Sequence, residues 1–220
     1  MPSLIHLKRK IRSTVSTRQI TKAMQMVAAS KMRKAQDAVL KSQPFFQQAM
    51  ILLSELRKDP SLLAHPMMTP RPVKKNLLIV VASDRGLCGS YNAQVVRQTL
   101  DFLQENQNQE NEVITIGKRA EESLKRAKIA LKACFHGFPE NPTTEDIRPL
   151  LKLSIERFLK QELDQVQIIY TDFISTLKQL PVLKTLLPVP EEIFLRDLSQ
   201  EEIFDASDFL FEPSKKEVAE

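Results

Sequence analysis

Ten consecutive residues concentrate the groups best suited to chemistry: Ser83-Asp84-Arg85-Gly86-Leu87-Cys88-Gly89-Ser90-Tyr91-Asn92 holds a thiol, a carboxylate, a guanidinium and two of the chain's four glycines. A neighbouring cation lowers a thiol pKa, so Cys88 beside Arg85 has one element of a nucleophile. The general base is missing. The three histidines, His6, His65 and His136, fall in a helical rod, a proline-rich linker and a glycine-containing loop, and a small residue packed in a tight turn is the simpler role for Cys88. Asp84 and Arg85 are expected to pair with each other or with a partner. A glycine-bearing turn between a strand and a helix also suits anions, because helix N-terminal amides point at them. The spacing, however, is neither G-x-G-x-x-G nor G-x-x-x-x-G-K-[ST], so nucleotide binding rests on fold analogy alone. Cys88 and Cys134 lie 46 positions apart, with neither metal-ligand nor disulfide-framework spacing. No carboxylate pair is placed for acid–base work. The sequence predicts no catalytic residue, no cofactor and no metal site.

The second concentration is charge. Residues 1–58 carry twelve Lys and Arg against Asp37 and Glu55, a net of +10, whereas the remaining residues hold 20 basic and 25 acidic groups, a net of −5. Lys8, Arg9, Lys10, Arg12, Arg18, Lys22, Lys31, Arg33, Lys34 and Lys41 make a cationic rod. Such a rod could neutralise phosphates, with affinity falling steeply with salt. Its first 44 residues contain no aromatic to stack on bases, and a membrane-surface helix would usually place Trp or Phe on its apolar face. A protein groove fits better, and the plainest reading is that the charges keep a coiled coil soluble.

The elements that must carry these groups follow from periodicity. From Ser3 to Lys58 there is no Gly and one internal Pro, with Leu4, Leu7, Ile11, Val15, Met24, Ala28, Met32, Ala35 and Val39 stepping by threes and fours along much of one stripe. This predicts a single long helix, on the order of 80 Å at about 1.5 Å per residue, with a bend at Pro44. Pro60, Pro66, Pro70 and Pro72 end it and make a linker over 59–75. The period then changes. Residues 76–82 read NLLIVVA, a strand buried on both faces. A helix is predicted over 91–105, a strand over 113–116, a helix over 118–127, a strand over 129–134, a helix over 144–163 and a strand over 166–173. Residues 177–190 and 193–198 are predicted as closing strands, edged by Pro181, Pro188 and Pro190. Strands alternating with helices argue for a mainly parallel sheet covered on both faces. The expected fold class is α/β: a long coiled-coil-type helix over 1–58 and a Rossmann-like body over 76–211. Strand order is not readable. Over 212–220, Ser214-Lys215-Lys216-Glu217 matches the capping box that opens a helix, so a C-terminal helix is expected to begin where the sequence stops.

The chain has 220 residues, 42% hydrophobic and 27% charged, ordinary for a folded soluble protein. No apolar run approaches the ~20 residues of a spanning helix, and residues 1–12 lack the apolar stretch of a secretory signal. The chain is expected to stay in the compartment where it is made.

Two strings, Ile20-Thr21-Lys22-Ala23-Met24-Gln25-Met26-Val27-Ala28-Ala29-Ser30-Lys31-Met32-Arg33-Lys34 and the Ser83 to Asn92 turn, resemble the gamma subunit of the F-type ATP synthase. The resemblance extends in element order from Leu4 to Glu220. It implies a non-catalytic rotor shaft that pairs with a C-terminal helix inside a hexamer of alpha and beta subunits. The body would lie against the epsilon subunit and the c-subunit ring, on the cytoplasmic face of a bacterial plasma membrane, touching the membrane only through the ring and binding no nucleic acid. Carried over, Lys22, Met24, Met26, Lys31, Arg33 and Lys34 would face the catalytic subunits, and Asp84, Arg85, Gly86, Cys88 and Gly89 would lie near the underside of the hexamer.

Overall fold

The computed structural model describes residues 3–57, 65–140 and 142–190. The chain divides into two compact units, residues 1–48 and 49–220.

The first unit is helical. Helix α1 runs Leu4–Arg57, 54 residues, unbroken across Pro44. Its composition of Ala, Met, Leu, Lys, Arg and Gln favours helix at nearly every position. Ser3 opens it, its Oγ accepting from the His6 amide at 3.4 Å. The hydroxyls that interrupt the helix are absorbed by its own backbone: Thr14 donates to the Lys10 carbonyl at 2.9 Å and Thr17 to the Ser13 carbonyl at 2.9 Å. Near Pro44, which has no amide proton to donate, Ser42 donates to the Val39 carbonyl at 2.9 Å.

The second unit is an α/β layer structure. Its strands are β1 (Lys75–Val81), β2 (Glu110–Ile116), β3 (Leu131–Phe135), β4 (Gln165–Phe173) and β5 (Gln179–Leu187). Its helices are α2 (Tyr91–Glu105), α3 (Lys118–Arg126) and α4 (Thr144–Leu159). The sheet order is β3-β2-β1-β4-β5, parallel except for the antiparallel β4–β5 pair. Alternate residues of β1 point to opposite faces and build two cores. Leu77 and Ile79 join Leu150, Phe158, Leu163 and Val166 on the α4 side. Leu78 and Val80 join Val95, Ala120, Leu124 and Ile169 on the side of α2 and α3. A central strand with apolar neighbours on both faces must read as a continuous apolar run.

Boundaries moved where local backbone chemistry overrode periodicity. The helix predicted over 144–163 stops at Leu159, because Gln161 takes φ 60° and the Gln161 and Glu162 amides fold back to the Phe158 and Arg157 carbonyls. Leu163 therefore reaches the core from the following turn instead of from the helix. The start of α4 carries a signal the sequence reading passed over: the Thr143 amide and hydroxyl both donate to Asp146, at 2.7 and 2.8 Å. Strand β2 begins at Glu110 and β3 at Leu131. The strand predicted over 193–198 and the capping box at Ser214 lie outside the described residues.

The linker is tied to the body by ionic contacts. Asp164 accepts from the Lys74 and Lys75 amides, each at 2.9 Å, and pairs with Arg71 at 3.2 Å. Burial alone would raise its pKa; the two amides and the Arg71 and Lys74 charges outweigh that and hold it below the ordinary aspartate value. The Arg71 guanidinium lies 4.3 Å from the centre of the Phe158 ring and donates to the Phe158 and Leu163 carbonyls.

Candidate functional site: a clamped turn and an exposed basic stripe

The turn after β1 leaves the C-terminal edge of the sheet beside the ends of β2 and β3. At this edge the connections diverge, since β2 and β3 lie on one side of β1 and β4 on the other. Open parallel sheets place their ligand sites at such a switch point. Here the turn closes on itself. Asn92, in the first turn of α2, accepts from the Ser83 amide at 3.1 Å and donates to Cys88 Sγ at 3.0 Å. The Ser83 hydroxyl lies 3.0 Å from Asn92 Oδ1 and 2.5 Å from the Arg85 carbonyl, and its single proton serves one of the two at a time.

Asp84 does not pair with Arg85. Its Oδ1 accepts from the Lys118 amide at 2.9 Å and its Oδ2 from the Gly137 amide at 3.1 Å. The carboxylate thus caps α3 and holds the turn after β3, a role that local sequence cannot suggest because its donors lie 34 and 53 positions away. Gly86 approaches the Arg119 side chain: a Cβ built there would lie 3.5 Å from Arg119 Nη2. Arg119 in turn pairs with Glu122 at 2.9 Å. Leu87 and Gly89 adopt φ 64° and φ 60°, and Leu87 is 87% exposed. Cys88 is exposed and meets Asn92 and Ser83, with no histidine among its contacts. The arrangement contains no nucleophile–base pair, and it presents Arg85 and Leu87 outward. Burial, and secondarily Cys88, raises the Tyr91 phenol pKa above its usual value.

The residues that position this turn, Arg119, Gly117, Gly137 and the Lys118 amide, were not singled out from the sequence. The available signal was a glycine directly after β2 and another two residues after β3.

On α1, Lys22, Lys31, Arg33 and Lys34 are exposed. Met24 and Met26 are 48% and 63% exposed, and Ile20, Val27 and Met32 are also open to solvent. Apolar surface of this extent on a helix marks an interaction face. Among the described residues no group of His, Cys, Asp and Glu could hold a metal ion, and no helix is long and apolar enough to cross a membrane.

A family model described as ATP synthase matches residues 3–220. The chain is 34% identical over 220 residues to the ATP synthase gamma chain of Desulfitobacterium hafniense, covering 99% of this chain and 74% of that one. It is 36% identical over 192 residues to the gamma chain of Heliobacterium modesticaldum, covering 87% and 66%. It thus spans about two thirds to three quarters of those relatives' lengths. In fold it matches a chain from the central stalk and c-ring of Tetrahymena thermophila mitochondrial ATP synthase, with TM-score 0.60 and 24% identity over 91% of this chain and 84% of that chain. These relationships give the nucleic-acid reading of the basic rod no support. With a family match along nearly its whole length, to which the long helix and the α/β body conform, the chain belongs to the ATP synthase gamma family, the non-catalytic central-stalk rotor subunit of the F-type enzyme.

Proposed function

We propose that α1 is the shaft that meets the alpha and beta subunits of the catalytic hexamer, through Lys22, Met24, Met26, Lys31, Arg33 and Lys34. The observation that carries this reading is the apolar stripe from Ile20 to Met32, left open to solvent and flanked by cations. An apolar seam favours a protein partner, and the cations favour acidic faces on it. Methionine suits a surface that must slide, being flexible and apolar.

The mechanism is population shift by an asymmetric cam. Each catalytic subunit meets a different side of the shaft, so each has a different preferred conformation and nucleotide affinity. Rotation passes those preferences from site to site. Within the described residues, 3–57 form the shaft, 65–75 the linker and 76–190 the body. The body contacts the epsilon subunit and the c-subunit ring, and the turn around Arg85, Gly86, Cys88 and Gly89, held by Asp84, lies at the underside of the hexamer. The complex sits on the cytoplasmic face of the bacterial plasma membrane, and this chain meets the membrane only through the ring.

Met24→Lys tests the shaft contact. It is expected to lower the protons moved per ATP hydrolysed in reconstituted vesicles at least about twofold, because it places a charge in the apolar seam. An unchanged ratio counts against the assigned contact.

A further inference from the structure

Three connections leave the C-terminal edge of β1, β2 and β3, and one carboxylate joins them. Asp84 lies on the first, the Lys118 amide opens the helix of the second, and the Gly137 amide belongs to the third. Bonds from neutral amides to a carboxylate are charge-assisted, and one of these amides also carries the positive end of the α3 dipole. The Arg119 amide donates to the Ser83 carbonyl at 3.0 Å, fastening the same junction from the other side. Beyond the clamp the backbone is strained: Leu87 holds φ 64° with its side chain in solvent. A non-glycine residue stays in that region only where its surroundings over-determine the backbone.

We propose that Asp84 is a positioning residue for coupling: it holds Arg85 and Leu87 in the stance in which they meet the catalytic subunits, without itself touching a partner. This rests on the placement of the turn under the hexamer proposed above. Both carboxylate oxygens are engaged by amides of this chain, whereas the Arg85 and Leu87 side chains point outward from a backbone that the clamp sets. Asp84→Asn keeps the shape and replaces one acceptor oxygen by a donor facing a donor. Lys118→Pro removes one amide at the first position of a helix, where proline is tolerated. It therefore opens the clamp without altering Asp84, and serves if the first variant does not fold. Thr143→Ala, which removes the α4 capping hydroxyl, is the control for a general loss of stability.

The isolated full chain is digested with trypsin, and the fragment ending at Arg85 is followed by mass spectrometry. The assembled enzyme in vesicles is then scored for protons pumped per ATP hydrolysed. Either clamp variant is expected to speed cleavage after Arg85 about tenfold and to lower the pumping ratio at least about threefold, whereas Thr143→Ala changes neither by more than about twofold. Cleavage that stays at the wild-type rate overturns the clamp. Faster cleavage with an intact pumping ratio also overturns the proposal, and locates the failure in the placement of the turn against the catalytic subunits.

Discussion

Gly117→Ala probes the junction between β2 and α3 directly. Gly117 sits at φ 97°, ψ 135°, and an added Cβ would lie 2.2 Å from the Ala82 carbonyl oxygen and 2.7 Å from its carbon. The glycine cannot move away, because its amide donates to the Phe135 carbonyl at 2.9 Å and the Ala82 amide donates to the Ile116 carbonyl at 2.8 Å. The backbone conformation costs an L-residue about 1–3 kcal/mol, and forcing the methyl against the Ala82 backbone just beyond β1 adds about 1–3 kcal/mol. The reduced freedom of the unfolded chain returns about 0.4–1 kcal/mol. The net loss is about 1–5 kcal/mol, a large share of the ~5–15 kcal/mol that holds a typical domain together. The midpoint should fall by roughly 2–20 °C at about 2–4 °C per kcal/mol. Tyrosine fluorescence reports the body selectively, since the only tyrosines are Tyr91 and Tyr170 and there is no tryptophan. Gly137→Ala is the matched control: its φ is 69°, yet nothing lies within 4 Å of the added Cβ, so it bears the backbone strain alone. If the two variants melt at the same temperature, the close approach of Gly117 to the Ala82 carbonyl does not govern the junction and the reasoning fails.

Other predictions concern the energetics of the body. Glu112 receives both Arg157 Nη1 at 2.6 Å and Arg157 Nη2 at 2.9 Å; Arg157 hydrogen bonding, partly opposed by burial, holds its pKa below the ordinary 4.5. Glu112→Gln should cost about 1–3 kcal/mol near neutral pH. Because the folded value lies below the unfolded one, the ionised pair stabilises fully above about pH 4.5, and that stability is lost as pH falls toward the folded value. Urea midpoints of wild type and variant should therefore differ at about pH 7 and draw together as the pH falls through the lowered folded value; a gap that persists once the carboxyl is protonated refutes the pairing. Phe158→Ala removes a fully buried ring from the α4-side core and the Arg71 contact above it, and should cost about 3–5 kcal/mol by chemical denaturation. A loss under about 1 kcal/mol would mean the core collapses around the vacancy or was not packed there.

The sequence by itself determined the long helix, the alternation of strands and helices, and the charge contrast between shaft and body. Each of these is a short-range pattern: the steps of α1, the continuous apolar run of β1 and the helical spacing in α2 repeat within a few residues. The two motifs that point to the family were equally local. What only the tertiary structure decided was long-range. Strand order depends on which buried faces meet, and β4 lies beside β1 although Asn76 and its partner Gln165 are 89 positions apart in the chain. Asp84, which reads locally as a partner of Arg85, instead binds two amides that only the parallel sheet brings to one edge. Leu163 reads as the last apolar position of a helix, yet it packs from a turn because Gln161 reverses the backbone. A side chain's periodicity records which face it needs to bury; its partners are set by the closure of the whole sheet, for which the surrounding residues carry no local signature.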